Sequence, residues 1–157
     1  QQLHDDKLAD FVAALLQTHG LPASQIELEI TESTAMSDPM RAIEQLGRLR
    51  NVGVTLAIDD FGTGYSSLAY LKDLPIQTLK LDRSFVQNIE TNQSDAAISL
   101  ATLALAHSLK LKVVAEGIET VGQANFLREN GCDLMQGYYF GRPESAEKWP
   151  EHWLNGS

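Results

Sequence analysis

The chain has 157 residues, of which 43% are hydrophobic and 21% are charged, and its net charge is −9. This length and composition are typical of one globular domain with a sizeable core. The negative charge argues against binding to polymeric nucleic acid or to an anionic membrane, since both need a basic surface. The single cysteine, Cys132, excludes a disulfide framework and a cluster of thiolate metal ligands.

The chain also has no sequence feature of a membrane or secreted protein. No apolar run approaches the roughly 18 residues of a membrane-spanning segment. The first residues lack the pattern of a signal peptide. Together with the single cysteine, these features predict a protein of the reducing cytoplasm.

Hydrophobic periodicity predicts helices that alternate with short strands. The predicted helices span 3–19, 37–53, 65–72, 95–109 and 121–130. The predicted strands span 26–31, 54–60, 78–82, 111–118 and 134–140. We expect the first helix to bury one apolar stripe, formed by Leu3, Leu8, Phe11, Val12, Leu15 and Leu16. The helix at 95–109 has almost no charge, so we expect it to be largely buried.

Strands that are separated by helices predict parallel pairing with right-handed crossovers. Helices then cover the face that carries the large aliphatic side chains. The other face carries one polar residue from each strand: Glu29, Asp59, Lys80, Glu116 and Gln136. On an antiparallel sheet that face would be solvated, but in a parallel barrel it lines an interior where unpaired charge is costly. Polar residues near the carboxyl ends of all strands are typical of the active site of a (β/α)₈ barrel.

A complete (β/α)₈ barrel takes roughly 250 residues, and this chain has five predicted strands. Five strands cannot close a barrel, and an open sheet would leave its edges exposed. We therefore expect an α/β fold in which residues 1–157 form one partial TIM-like barrel domain of five C-terminal βα units. The remaining strands would come from upstream residues or from another chain.

The end of the predicted strand at 54–60 is a candidate metal site. Asp59 and Asp60 stand side by side there and are followed by Phe61, Gly62, Thr63 and Gly64. Two adjacent carboxylates can share and bridge hard cations through oxygen. Asp followed by Gly is also ordinary turn chemistry, so this stretch by itself leaves both interpretations open.

Five motifs together resemble the EAL domain, a phosphodiesterase domain specific for cyclic di-GMP. They are EITES at 29–33, DDFGTGYSSL at 59–68, KLD at 80–82, AEGIET at 115–120 and QGYYF at 136–140. The motifs occur in the family's order and extend over essentially the whole chain. Any one motif would be weak evidence, but the agreement of five is specific.

The resemblance implies hydrolysis of cyclic di-GMP to linear pGpG with two Mg²⁺ or Mn²⁺ ions at the barrel mouth. In that scheme, Glu29 binds one ion, Asp59 bridges both and Asp60 binds the second. Glu116 and Gln136 hold the second ion or its waters. Two such ions clamp the reacting oxygens and lower the pKa of the attacking water.

The resemblance also assigns roles to residues around these ligands. Lys80 reaches the attacking water or the charge that develops on phosphorus, and Glu119 supports the ligands from outside. Glu32 is expected to bind the loop that begins at Phe61, which in this family couples metal binding to contacts in a homodimer. A helix-start acid after Thr31 is an equally good reading of Glu32.

The chain departs from the family pattern at its start. The name-giving Glu-Ala-Leu strand and an asparagine that would ligate the first metal are absent from residues 1–157. We therefore expect this chain alone to be poorly active or inactive, whereas its parent protein would be active.

Two alternatives to a metal-dependent hydrolase are a non-catalytic receptor for cyclic di-GMP or a protein partner, and a single-metal lyase on the same barrel. A receptor tends to lose its catalytic acids, and the residues retained here favour the hydrolase for the parent protein: Glu29, Asp59, Asp60, Lys80, Glu116 and Gln136. Asp60-Phe61-Gly62 also occurs in protein kinases, but the chain has no other kinase motif. The four histidines lack the spacing of zinc ligands, and Trp149 and Trp153 are expected to pack rather than to stack on a base.

Overall fold

The computed structural model describes residue 3, residues 5–62 and residues 68–145. The strands are β1 (Glu27–Thr31), β2 (Thr55–Phe61), β3 (Thr78–Leu81), β4 (Lys112–Ala115) and β5 (Leu134–Met135). The helices are α1 (Leu8–His19), α2 (Glu32–Ser37), α3 (Pro39–Val52), α4 (Leu68–Leu71), α5 (Arg83–Gln87), α6 (Gln93–Ser108) and α7 (Val121–Glu129). A short 3₁₀ turn at Ala23–Gln25 precedes β1.

The five strands form one sheet in the order β1-β2-β3-β4-β5, and every neighbouring pair is parallel. This confirms the predicted α/β class with parallel βα units. In the described part of the chain, β1 and β5 are the edges of the sheet. Because all strands run in the same direction, their carboxyl ends meet at one end of the sheet. Residues that follow the strands are therefore neighbours in space.

The core lies between the sheet and its helices. Leu56, Ile58, Leu79, Leu81 and Val113 are completely buried in the three central strands. They alternate with the residues of the opposite face, as the two-residue repeat of a strand requires. Burying each such side chain stabilises the fold by roughly 1.5–3 kcal/mol. This packing fixes which face of each strand is left for polar side chains.

Helix α3 begins and ends where the sequence predicted. Asp38 caps it by accepting a hydrogen bond from Arg41 N–H, and Pro39 occupies the first turn. Gly53 ends it with a φ of 103°, in the left-handed region that glycine adopts readily. In the described residues, no helix has the combined length and apolarity that crossing a bilayer requires.

The two predicted C-terminal strands are shorter than expected. β4 ends at Ala115 rather than at residue 118, because Gly117 turns the chain with a φ of 72°. β5 contains only Leu134 and Met135, and residues 137–140 form turns rather than a strand. Alternating side chains alone did not reveal these endings, because the loops contain the same residue types.

Two expectations about burial were wrong. Helix α1 begins at Leu8, and Phe11 and Leu15 of its predicted stripe are exposed. Helix α6 is buried on one side only, with Ile98 and Leu100 exposed. A helix that packs against a sheet buries only the side that contacts the sheet. In α6 this side consists largely of small side chains such as Ser99. The short helices α2 and α5 were not predicted, because neither is long enough for a full hydrophobic repeat.

Candidate active site at the carboxyl ends of the strands

Lys80 on β3 is the centre of an ion-pair cluster. Its Nζ lies 2.7 Å from Glu29 Oε1 on β1 and 2.7 Å from Glu116 Oε1, immediately after β4. Asp59 Oδ1, near the end of β2, is 3.5 Å from the same nitrogen. The sheet thus brings three predicted carboxylates, each from a different segment, to within 3.5 Å of the Lys80 ammonium nitrogen.

The carboxylates keep the Lys80 ammonium charged although only 8% of the residue is exposed. Burial alone would lower the pKa of Lys80, because water stabilises the charged form. Hydrogen bonds to Glu116 and Glu29, together with the charges of Glu116 and Asp59, outweigh burial and raise the pKa above its ordinary value. Lys80 is therefore a fixed positive charge at neutral pH.

Asp59 and Asp60 adopt an unusual local geometry. Asp60 has a φ of 55°, which is uncommon for a residue with a Cβ atom, and its N–H donates a 3.0 Å hydrogen bond to Asp59 Oδ1. Desolvation and the negative charges of Asp59 and Asp82 raise the pKa of Asp60, against a lowering effect of Lys80. The backbone thus holds two like charges together, and one lysine only partly offsets their repulsion.

The donor set suits a hard divalent cation. Glu29, Asp59, Asp60 and Glu116 supply carboxylate oxygens at one end of the sheet, and Lys80 is the one cation that bridges three of them. Oxygen ligands of this kind are those that Mg²⁺, Mn²⁺ and Ca²⁺ prefer. Among the described residues, however, no three Asp, Glu, His or Cys side chains already stand in a metal-binding arrangement. Three of the four carboxylates, those of Glu29, Asp59 and Glu116, lie within 3.5 Å of the Lys80 ammonium nitrogen.

The hydrogen bonds between the strand backbones continue past the ends of β4 and β5 to two predicted site residues, Glu116 and Gln136. Glu116 N–H donates to Leu81 O at 3.2 Å, and Gln136 N–H donates to Ala115 O at 2.9 Å. Ile118 N–H in turn donates to Gln136 O at 3.1 Å. Gln136 therefore follows β5 beside the Glu116 loop. The residue is exposed, and its role in holding the second metal ion or its waters stays a prediction.

Glu32 contacts the loop after β2. It is the first residue of α2, after the capping residue Thr31, and it is 1% exposed. Its Oε2 accepts a 2.8 Å hydrogen bond from Gly62 N–H. Glu32 is therefore both an acid at the start of a helix and a hydrogen-bond partner of the loop that follows β2. Phe61 is buried at the end of β2, whereas the predicted loop residues Thr63 and Gly64 lie outside the described residues.

Comparison with protein-family models decides the relationship of the chain. The model described as "EAL domain" matches residues 1–143. The chain belongs to the EAL domain family. Its relatives include the protein named cyclic di-GMP phosphodiesterase NbdA from Pseudomonas aeruginosa, which is 54% identical over 136 residues. That match covers 87% of this chain but only 17% of the relative, so the chain spans a small part of the curated proteins that it matches.

Solved EAL structures have the same fold. The structure titled "PaMucR Phosphodiesterase, c-di-GMP complex" superimposes with a TM-score of 0.90 at 48% identity, covering 94% of this chain and 60% of that one. The calcium and cyclic di-GMP complex of BlrP1 from Klebsiella pneumoniae gives a TM-score of 0.83 at 32% identity, over 90% of this chain and 36% of that one. The family and fold predicted from the sequence are therefore confirmed.

This EAL chain also contains a buried polar residue that the sequence analysis did not select. Gln123 on α7 is 4% exposed, and its Oε1 accepts hydrogen bonds from Glu119 N–H at 2.7 Å and Thr120 N–H at 3.0 Å. Thr120 Oγ1 accepts from Gln123 N–H at 3.1 Å, which completes a capping box. The spacing Thr-x-x-Gln before a helix is a known signature and could have identified this pair.

Proposed function

We propose that this chain is part of a cyclic di-GMP phosphodiesterase that hydrolyses one phosphodiester bond to give linear pGpG. The observation that carries the proposal is the acid–lysine cluster at the carboxyl ends of the strands, where Lys80 Nζ meets Glu29, Asp59 and Glu116. Catalytic residues of barrel enzymes come from this end of the sheet. The names of relatives such as NbdA and MucR support the substrate and the reaction.

The proposed cofactors are two divalent ions, Mg²⁺ or Mn²⁺. Their ligands in this chain would be Glu29, Asp59, Asp60, Glu116 and Gln136, with Glu119 supporting the loop that carries Glu116. When bound, such ions supply an activated water and neutralise the phosphate diester. The excess of carboxylates over Lys80 supports this role. Desolvation is the largest cause of the raised pKa of Asp60, and the charges of Asp59 and Asp82 each raise that pKa by more than Lys80 lowers it.

In this proposal Lys80 stabilises charge rather than abstracting a proton. A general base must give up its own proton near the working pH, and the raised pKa of Lys80 keeps it protonated there. A buried, fixed ammonium is suited to the negative charge that grows on the phosphate oxygens in the transition state. Its two short hydrogen bonds hold it in position before the substrate arrives.

The test is hydrolysis of cyclic di-GMP with Mn²⁺ by Asp59→Asn and Lys80→Met, each made in the N-terminally extended form of the protein. Both variants should lose at least about 100-fold in kcat/KM, because each removes a charge that the transition state needs. Asp133→Asn is the control, since Asp133 lies at the opposite end of the sheet and pairs with His107. Unchanged turnover in Asp59→Asn would refute the hydrolase. If the protein bound cyclic di-GMP in the absence of metal and did not hydrolyse it, the result would favour the non-catalytic receptor.

We further propose that this chain alone turns over slowly. The described sheet has two free edges, and the Glu29 side chain on the edge strand β1 is 45% exposed. Exposed carboxylates are hydrated and screened, so they hold a metal ion less well than enclosed ones. Comparing hydrolysis by this chain and by an N-terminally extended form tests the point. Equal kcat values would contradict it.

The proposed assembly is a homodimer formed through the barrel-mouth loop that begins at Phe61. The hydrogen bond from Gly62 N–H to Glu32 supports a link between the site and that loop. Glu32→Gln retains an acceptor, whereas Glu32→Ala removes it. Sedimentation should therefore show weaker dimerisation in the alanine variant than in the glutamine variant, and a monomeric wild-type protein would refute the dimer.

A further inference from the structure

The segment that leaves β3 contacts the loop that carries Glu116 at three points. The Cβ of Arg83 lies so close to Gly117 that a side chain at Gly117 would stand 2.6 Å from it. Gln87 O, at the end of α5, accepts a 3.1 Å hydrogen bond from Gln123 Nε2. The Glu90 carboxylate accepts a 2.7 Å hydrogen bond from Thr120 Oγ1.

Gln123 connects these two segments through both ends of its carboxamide. Its oxygen accepts from the backbone of Glu119 and Thr120, at the end of the Glu116 loop. Its nitrogen donates to Gln87 O, in the helix that begins three residues after Lys80. A capping box needs only contacts within its own helix terminus, so the bond to Gln87 is an additional, tertiary connection.

The rest of the Glu116 loop is held equally firmly. Ile118 is completely buried, and its N–H and C=O bond to Gln136 O and Tyr139 N–H. Glu116 N–H is bonded to Leu81 O on the lysine strand. The backbone on either side of Glu116 is therefore fixed, and the Gln123 oxygen provides two of its hydrogen bonds. A displacement of this loop would change the distance between Glu116 Oε1 and Lys80 Nζ, which is 2.7 Å.

We propose that Gln123 is a positioning residue that sets the geometry of Glu116 against Lys80, and thereby the metal-binding competence of the site. Its carboxamide ties the chain leaving the lysine strand to the chain leaving the Glu116 strand. The consequence for chemistry rests on the proposed function, whereas the consequence for the Lys80–Glu116 contact does not. The residue acts through Glu116 and is not itself expected to touch substrate.

The experiment compares Gln123→Ala, Gln123→Glu and a matched control in the full chain. Gln123→Ala removes all three side-chain hydrogen bonds. Gln123→Glu keeps an acceptor for Glu119 and Thr120 but loses the donor to Gln87. The control is Gln45→Ala, since Gln45 is equally buried on α3 and bonds to Asp6, which is not a site residue.

The first readouts need no metal. The ¹H–¹⁵N signal of the Lys80 ammonium should shift in both Gln123 variants and stay in place in Gln45→Ala. Amide exchange at Glu119 and Thr120 should accelerate at least about tenfold in Gln123→Ala only, because its acceptor is lost. An unmoved Lys80 signal in both Gln123 variants would overturn the proposal, whatever happens to their stability.

The second readout is calorimetric titration with Mn²⁺. Both Gln123 variants should bind Mn²⁺ about tenfold more weakly than the wild type, because the ligand geometry is altered, and Gln45→Ala should bind it normally. Unchanged affinity in the Gln123 variants would also overturn the proposal. If neither the wild-type chain nor its N-terminally extended form bound Mn²⁺, the proposed function would fail, while the Lys80 signal would still decide the role of Gln123.

Discussion

Two aspartates at opposite ends of the sheet have pKa values that shift in opposite directions. Asp60, at the carboxyl end, has a raised pKa because of desolvation and the neighbouring charges of Asp59 and Asp82. Asp133 precedes β5 at the amino end. Burial alone would raise its pKa, but the hydrogen bond from Val113 N–H and the contact with His107 outweigh burial and lower it.

We interpret this difference as one between a stabilising end of the sheet and the end where we propose the active site. The carboxylate of Asp133 accepts a 2.8 Å hydrogen bond from Val113 N–H and lies 3.0 Å from His107 Nε2, so the fold satisfies its charge. At the carboxyl end, the fold gathers more negative charge than Lys80 compensates. Residues at the amino end of a barrel sheet usually serve stability, and those at the carboxyl end serve catalysis. Three substitutions, used in four tests, examine this comparison.

The largest effect on stability is expected from Gly137→Ala, which would disrupt the packing at the carboxyl end of the sheet. An added Cβ at Gly137 would lie 2.2 Å from the backbone N and O of Ile118, and backbone atoms cannot move aside cheaply. We expect a loss of about 3 kcal/mol in the free energy of unfolding, measured in urea. Gly141→Ala is the control, because a Cβ at Gly141 meets nothing within 4 Å. Equal stability of the two variants would contradict the close approach.

A smaller loss is expected from Asp133→Asn at the amino end. The variant weakens the hydrogen bond from Val113 N–H and removes the carboxylate charge 3.0 Å from His107 Nε2. Both side chains are more than one-third exposed, so solvent reduces the effect to about 1 kcal/mol. Hydrolysis of cyclic di-GMP should not change beyond twofold. A strong loss of turnover without a loss of stability would reverse the roles of the two ends.

The third prediction concerns the acid limb of the stability curve. Because the folded pKa of Asp133 is lowered, its stabilising contribution is fully present above the unfolded value of about 3.9. It is lost as the pH falls through the folded value, when the carboxylate takes up a proton. Urea unfolding between pH 6 and pH 3 should therefore be less steeply pH-dependent in Asp133→Asn than in the wild type. Parallel curves for the two proteins would contradict the assignment.

The smallest effect on stability is expected from Asp60→Asn, and this variant discriminates best between the two ends of the sheet. A raised folded pKa means that ionised Asp60 opposes folding once the pH exceeds the folded value. Removing the charge should therefore raise the thermal midpoint slightly at pH 7 while it abolishes Mn²⁺-dependent hydrolysis. Asp133→Asn should instead lower the thermal midpoint and leave Mn²⁺-dependent hydrolysis unchanged. If Asp60→Asn also lowered the thermal midpoint, the two ends would not differ as proposed.

Particular residues explain how far the sequence could be read. Glu29, Asp59, Lys80 and Glu116 were predicted as one set, because each lies on the polar face of its strand or directly follows the strand. The structure brings these four together around Lys80 Nζ. Gln123 was missed because its effect depends on Gln87, 36 residues away in the chain. The exposure of Phe11, Leu15 and Ile98 was missed because apolar periodicity does not report how wide a helix contact is.

The sequence by itself determined the βα alternation, the face of each strand and the residue types that meet at its carboxyl end, since these follow from local periodicity. Only the tertiary structure decided that one ammonium meets three carboxylates, that Asp60 and Asp133 have opposite pKa shifts, and that β4 and β5 end early. Those properties depend on distances between segments far apart in the chain. Electrostatic energy varies with such distances and with burial, and neither is encoded in any single stretch of residues.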